Sequence, residues 1–598
     1  MARRLPARRD GYAPYNFVST LHPYEQPNPP RFGSGTEDEP PLSATLELEL
    51  EALTPLLVSG EQPHREPGKP AIRSFFSVNG NPVIPGSSLK GLVRSLVEAL
   101  SNASVAPISE GFVYSRNPTT PQSTESRTIV AAWEEGRLKA GLLTVRGASR
   151  TIKPCTWLRV KDAPQDRRGT AAQKTDTELG NNKTLGIRFG GSKPYVPPAP
   201  QGHGGHIDAA APDEHQATGI GPNGNRAGRL VYTGDLGSKE VHGYVFEQIP
   251  DVQPRSISPE VWECFEAQKT DAQNDLIRTL RAAGLSIPVF YIVESKDPAS
   301  PPSQFGLSKY FRVKQRQSPR SIGAKSGRGL TDWLFGFVGN RASAGSNNSL
   351  RGRVVVTAAR CTVSQRSESY PDLLPGGPSA SAVGMYVTQP DGVGGQLEPS
   401  RRNENLRTYD HDDARLRGRK FYWHRDPPTR TSAAAGSQNE KMVAEYRPLA
   451  AGTKFEFSVH MHNVAAYEIG AVLEGLLRPG AVKLGLGKPF GFGSCKITLK
   501  SATVDELTRR YRSLSSRING PAPLPDAKVM KLREDFRRAV ADDSKTFDQL
   551  QFVREFDRIH DFKNRPAREA TEYMRLHDGD PSYKHKPILR NLLDVKTP

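Results

Sequence analysis

The chain has 598 residues and a formal net charge of +18, with 82 Lys and Arg against 64 Asp and Glu. Such a length admits a sizeable core in roughly two to four structural units, and the basic excess suits a polyanion, nucleic acid before a membrane surface. No apolar run approaches the roughly 18 residues needed to cross a bilayer, and four scattered cysteines (Cys155, Cys264, Cys361, Cys495) with no CxxC exclude a zinc ribbon and a disulfide framework. The basic start from Met1 to Arg9 opens no hydrophobic segment of secretory type, so the chain reads as cytoplasmic and its thiols as buried or inert.

Residues 1–40 are rich in Pro, Arg and Asn and read as an arm that orders only by lying on something, with Tyr12, Tyr15 and Phe17 as anchors. Over residues 45–53, Leu46, Leu48 and Leu50 alternate with Glu47, Glu49 and Glu51, which predicts a half-buried strand with an acidic outer face. A loop over 59–69 follows. Pro85-Gly86 then reverses the chain, the pair Ser87-Ser88 caps a helix, and apolar residues recur at Leu89, Leu92, Val93, Leu96 and Leu100. Residues 104–320 are Gly, Pro, Ser and Arg rich with strand-like runs at 229–232 and 243–246. They are too long for a loop and read as an inserted subdomain.

The interrupted unit resumes at Trp333-Leu334-Phe335-Gly336 and at Leu350-Arg351-Gly352-Arg353-Val354-Val355-Val356. Leu416-Arg417-Gly418-Arg419 repeats the start of the second run ahead of Lys420-Phe421-Tyr422-Trp423, but four residues are too few to argue a duplicated domain. Phe455, Phe457, Val459 and Met461 alternate with polar residues as another strand, after which Asn463 is expected to cap a helix ending near Pro479-Gly480. A glycine-rich loop, Leu484-Gly485-Leu486-Gly487-Lys488-Pro489-Phe490-Gly491-Phe492-Gly493, leads into alternating Cys495 to Lys500. Thr503 to Glu506 matches a capping box, and residues 504–577 read as several amphipathic helices.

Three stretches carry chemistry. The helix start at Gly86 offers free amides, two hydroxyls and the positive end of a dipole, with Lys90 and Arg94 one turn apart, which suits an anion; an ordinary turn is the alternative. The glycine-rich loop follows a helix and precedes a strand, the reverse of a dinucleotide-binding loop, so Lys488 and the amides fit phosphate or the glycines serve packing. Arg417, Arg419 and Lys420 beside Phe421, Tyr422 and Trp423 pair cations with flat rings, as single-stranded RNA requires; a strand with an aromatic core face is the alternative. His424-Arg425-Asp426 copies three letters of a kinase loop without the rest, and no GxxxxGK[ST] occurs. His203, His206, Asp208 and His215 have the ligand types for a divalent metal but lie among glycines and alanines with no element to hold them, so no metal site is assigned.

Taken together, Ile84 to Gly91 and the glycine-rich loop resemble the CRISPR-associated RAMP superfamily, in the backbone type that holds guide RNA in type III effector complexes. The resemblance implies an α+β fold with an RRM-like (ferredoxin-like) palm over residues 41–103 and 321–500, a large inserted subdomain over 104–320, and a C-terminal helical appendage over 501–598. Its partners would be CRISPR RNA, target RNA and other CRISPR effector subunits, with no membrane. Phosphate contacts are expected at Gly86, Ser87, Ser88, Lys90, Arg94, Arg353, Arg417, Arg419, Lys420, Gly485, Gly487, Lys488, Gly491 and Gly493, in one cradle made by the two turns. The residues 374–395, around Met385-Tyr386-Val387, are the candidate for the family's projecting thumb, with a plain surface loop as the alternative. Target-cutting members carry an aspartate in the loop after the first strand; here Ser59 to Glu66 has none, and only Glu61 or Glu66, with His64 as base and magnesium as cofactor, would replace it. The alternatives are therefore a metal-dependent endoribonuclease and a protein-interaction scaffold.

Overall fold

Leu46, Leu48 and Leu50 do turn to one side, and that side is a core in which all three are buried. They lie in the strand Leu42–Ala52, which starts earlier than the alternation alone indicates because Leu42 to Thr45 still have partners on both sides. The computed structural model describes residues 11–20, 41–60, 71–103, 111–115, 129, 132–133, 135–160, 184–189, 191–194, 215–218, 226–233, 242–269, 271–282, 284–297, 299–323, 329–338, 349–373, 382–389, 407–428, 444–506, 520–541, 545–573 and 588–595. The chain is α+β and folds as two units, Met1–Glu110 with Pro319–Leu397 and Asp413–Pro598, and Gly111–Ser318 with Glu398–Asp412.

In the first unit, Leu42–Ala52 lies between Ser494–Glu506 on one side and Lys454–Val464 on the other; beyond the latter come Val354–Val356 and Ala359–Val363, all antiparallel. With the helices Gly86–Leu100 and Ala466–Leu477 this is the βαββαβ order of a ferredoxin-like palm: fourth strand, first, third, second. Both helices lie over one face, through Leu89, Val93, Leu96, Val97, Ile469 and Leu473. The other face is polar. There Ser458 Oγ donates to Glu47 (2.7 Å), Lys454 Nζ donates to Glu49 (3.0 Å), and the His460 ring meets Thr45 Oγ1 (3.2 Å).

Two helix starts differ from expectation. Asn463 does not cap: it takes a left-handed φ of 53° inside Lys454–Val464, and the helix begins after Ala465, whose amide donates to Glu468 Oε2 at 2.8 Å. Thr503 to Glu506 opens no helix either, because these residues pair with Leu42 to Thr45 and extend the strand. The appendage proper is formed by Asp526–Val540 and Gln551–His560. The former packs on Ala466–Leu477 so closely that a Cβ at Gly470 would lie 1.9 Å from the Leu532 carbonyl oxygen. The arm also finds a seat on its own chain: Tyr15–Val18 pairs antiparallel with Arg419–Tyr422. The proposed thumb is no hairpin over its described part; Val383–Tyr386 is one helical turn whose Met385 and Tyr386 pack against Tyr15 and Phe17.

The second unit is built on a ten-stranded sheet whose main path runs Pro302–Gly306, Ile287–Val293, Leu138–Arg146, Ser149–Val160, His242–Gln248, Arg226–Thr233 and Thr184–Phe189. The helices Pro259–Glu266 and Asp271–Ala282 belong to it, with the Phe265 and Phe305 rings 4.4 Å apart. Among the described residues no helix is long and apolar enough to cross a membrane.

Arg353 joins this fold rather than leaving it. Its guanidinium donates to both carboxylate oxygens of fully buried Glu468 and to the Asn463 carbonyl oxygen at 2.6 Å. Removing the arginine strands a buried carboxylate at a helix start, so Arg353→Ala is expected to cost about 3–5 kcal/mol in urea unfolding. Arg351→Ala, at an exposed neighbour, should stay within about 0.5 kcal/mol.

Candidate nucleic-acid interface

The glycine-rich loop joins Val482–Lys483 to Ser494–Glu506 around a single 3₁₀ turn, Lys488–Phe490, bracketed by Gly487 and Gly491. Its glycines answer first to the protein's own backbone. Gly485 has a φ of 82° and its missing Cβ would stand 2.2 Å from the Leu57 carbonyl oxygen; Gly493, at 74°, would meet the Leu484 carbonyl oxygen at 1.9 Å. Most amides of the loop are likewise used internally, as in Leu486 N to Leu57 O (2.7 Å) and Gly493 N to Pro55 O (2.8 Å). Those of Gly485, Gly487 and Lys488 have no acceptor among the described residues, and Leu486 between them is 43% exposed. The open edge of the loop is therefore 485–488, with Gly491 and Gly493 behind it.

Three groups hold that edge in place. Lys483 Nζ donates to the carbonyl oxygens of Gly491 (3.1 Å) and Phe492 (3.0 Å), and burial brings its pKa down to about 7. His424 donates from Nε2 to Ala481 O (3.2 Å) and accepts at Nδ1 from Ser494 Oγ (3.0 Å); burial holds its pKa well below the usual range, so the ring is neutral and joins both ends of the loop. Arg425 donates to Pro489 O (3.2 Å) and to Thr571 O (2.6 Å), tying the loop to the C-terminal segment. Sequence reasoning missed Lys483, His424 and Arg425 as loop supports. The one local sign was a lysine inside the apolar run from Ala481 to Leu484.

Beside the open edge stand two lysines. Burial lowers the pKa of both Lys420 and Lys488, and the ammonium of Lys488, within electrostatic reach, lowers that of Lys420 further. Neither has a carboxylate partner among the described residues. Lys420 Nζ lies 5.2 Å from the Tyr15 ring and 5.3 Å from the Tyr422 ring. An electropositive spot with unpaired amides results, supported on an aromatic floor.

The other predicted cations go elsewhere. Arg419 is 6% exposed and ion-paired to Glu98 at 3.1 Å, because alternation on its strand turns it inward with Phe421 while Lys420 and Tyr422 face the arm. Arg417 is half-buried on the Gly384 carbonyl (3.5 Å), with its pKa lowered by burial to about 10. Arg94 is held by buried Asp332 at 3.3 Å. With Arg353 on Glu468, four arginines expected at phosphate serve the interior.

At the first turn, Ser87 and Ser88 are not caps. Pro85 is the N-cap and Gly86 the first helical residue, which places both serines in the first turn. Ser88 N donates to Pro85 O at 3.0 Å, while the amides of Gly86 and Ser87 have no acceptor among the described residues and Ser87 is exposed. The Lys90 ammonium lies against Gly352, where an added Cβ would come within 3.3 Å of it. This turn and the glycine-rich loop do not close into one cradle. Gly86 follows Asn81–Ile84 on one side of the sheet and the loop enters Ser494–Glu506 on the other, four strand spacings or about 19 Å apart. Glu61, His64, Glu66, His203, His206 and Asp208 lie outside the described residues, as does the side chain of His215. Among the described residues no group of three or more His, Cys, Asp or Glu is placed to hold a metal.

The model of the RAMP superfamily matches residues 49–198. The likeness to that superfamily is confined to this segment. It takes in only the end of the strand Leu42–Ala52 and all of Gly86–Leu100, continues into the inserted unit, and ends far short of the glycine-rich loop. Among solved structures, Csc2 of Thermofilum pendens aligns over 89% of this chain and 91% of its own at 10% identity, with a TM-score of 0.24, too slight to place any residue. No curated protein matches the chain.

The supports of the loop make its stability depend on pH. Lys483 is protonated in the unfolded chain up to about pH 10.4, whereas in the fold it releases its proton near pH 7, so the unfolded state binds more protons in that window and stability rises with pH. Cys495, pushed up to about 12 by burial, acts in the opposite sense above about pH 9, where only the unfolded thiol ionises. Unfolding free energy is thus expected to climb by about 2 kcal/mol from pH 7 to 9 and then level off. Lys483→Met should abolish the climb in denaturant titrations.

Proposed function

We propose that this chain is a CRISPR RNA-binding subunit of a type III effector complex that grips guide RNA by its sugar-phosphate backbone and positions the paired target. The observation that carries this reading is the open amides of Gly485, Gly487 and Lys488, with Lys488 on the same edge and Lys420 within its electrostatic reach, neither lysine having a carboxylate partner among the described residues. Two ammonium groups in that state are stabilised by an anion, and the amides add directional hydrogen bonds to its oxygens. The turn at Gly86, Ser87 and Lys90 offers a second point of contact across the sheet, which suits a strand laid over the palm better than a compact ligand.

Sequence readout is not built in. The sheet face opposite the helices has Glu47 and Glu49 engaged by Ser458 and Lys454, and phosphate contacts fix position without reading bases. Target choice would then fall to base pairing with the guide. The RAMP segment supports a place among CRISPR-associated proteins, with the other effector subunits as protein partners and the cytoplasm as the compartment.

Anisotropy titrations of several unrelated guide-length RNAs at rising salt test the reading. Affinity should fall steeply with salt and depend little on sequence. The double variant Lys420→Ala, Lys488→Ala should weaken every RNA alike and reduce the salt slope by about 1.4, at roughly 0.7 for each phosphate no longer neutralised. Affinity indifferent to salt, or unchanged in the double variant, would overturn it.

A further inference from the structure

The inserted unit contains a cavity of about 140 Å³ lined by residues at the end of Pro259–Glu266, the start of Asp271–Ala282, and the turn after Pro302–Gly306. A cavity near 150 Å³ takes a molecule the size of benzene, so this one has room for a single flat ring. Its apolar walls are Phe265, Leu307 and Phe311, all buried. Phe265 is held by Phe305 (centroids 4.4 Å apart) and Trp262 (5.7 Å), which makes the wall rigid before any ligand arrives.

The polar groups around these walls are of two kinds. Gln268 and Gln273 supply amides, and Gln268 Nε2 already donates to Cys264 O at 3.0 Å, which leaves its side-chain oxygen to accept. On the cationic side, Lys269 is held by Glu266 at 2.6 Å, whereas the exposed guanidinium of Arg312 has no partner among the described residues. The amides of Leu307 and Ser308 also have no acceptor there. Aromatic walls, a hydrogen-bonding edge and an uncommitted arginine beside open amides are the requirements of a base joined to a phosphate.

We propose that this cavity takes one unpaired nucleotide of RNA, its base against Phe265 and Phe311 and its phosphate on Arg312 and the Ser308 amide. The proposal rests on the reading of the chain as an RNA-binding protein and adds a second, base-accepting site within the inserted unit.

Titrating the full chain with uridine monophosphate, adenosine monophosphate, uridine and inorganic phosphate, followed by saturation-transfer NMR and calorimetry, tests it. Uridine monophosphate should bind more tightly than uridine or phosphate alone, and more tightly than adenosine monophosphate, whose two-ring base exceeds the cavity. Arg312→Ala, an exposed change, should weaken the monophosphates about tenfold while leaving uridine unaffected. Ser308→Trp, which fills the cavity, should abolish both, with thermal melts checking the fold. Phosphate bound as tightly as the monophosphates, no binding of any monophosphate, or monophosphate binding unchanged in Arg312→Ala would overturn the proposal. The variant Lys420→Ala, Lys488→Ala separates the two readings. Binding of guide-length RNA should be weakened and mononucleotide binding kept; loss of both would move the seat to the loop and end the proposal, while RNA binding that persists without mononucleotide binding would sink this inference alone.

Discussion

Leu42–Ala52 is wedged between two strands drawn from the far end of the chain, Lys454–Val464 and Ser494–Glu506, and every other part of the palm depends on that wedge. Leu46, Leu48 and Leu50 lie under the helices, each worth about 1.5–3 kcal/mol of burial, and a slip of one residue would turn all three to water. The register also decides where the glycine-rich loop stands. Because Ala52 lies opposite Cys495, the loop ends against the first residues past the strand, where Thr54 Oγ1 donates to Gly491 O (2.8 Å) and accepts from Ser494 N (3.0 Å). The edge offered to a ligand is thus fixed by the same pairing that closes the core.

Charge is distributed by the same logic. Several carboxylates in or beside the core capture arginines: Glu468 takes Arg353, Glu98 takes Arg419, Asp332 takes Arg94, and fully buried Glu474 takes Arg478, Arg533 and Arg537, which fastens the helix Asp526–Val540 to the palm. Guanidinium suits this work, since its fork matches a carboxylate and stays charged when buried. The cations left at the loop without a carboxylate partner among the described residues are the lysines Lys420 and Lys488. Ion pairing inside the fold thus uses up arginines, and the net charge of +18 overstates what is available to a nucleic acid.

The supports of the loop come from far along the chain. His424 and Arg425 reach it from the segment after Arg419–Tyr422, and Arg425 continues to the fully buried Thr571. Ala481 N donates to His560 O at 3.1 Å, so the appendage is part of the frame that shapes the loop. This explains why a segment with no chemistry of its own lies so close to the candidate interface.

Much of the palm was legible beforehand because its signals are local. Alternation at Leu46, Leu48 and Leu50 and at Phe455, Phe457 and Val459, with the apolar spacing from Leu89 to Leu100, depends only on a strand period of two and a helix period near 3.6. The position of the glycine-rich loop between a helix and a strand could be read the same way. What the sequence could not disclose is which charges are free, since Glu98 lies 321 residues from Arg419 and Glu468 lies 115 from Arg353. Likewise Thr503 to Glu506 has the letters of a helix cap but pairs as a strand, because Leu42 to Thr45, brought alongside by the fold, take its backbone hydrogen bonds. Local periodicity determined the main palm strands and helices and the loop between them; tertiary pairing decided which arginines are taken up by carboxylates and that Lys420 and Lys488 have none among the described residues, because an ion pair forms only between groups that the chain brings within a few ångströms, whatever their separation in sequence.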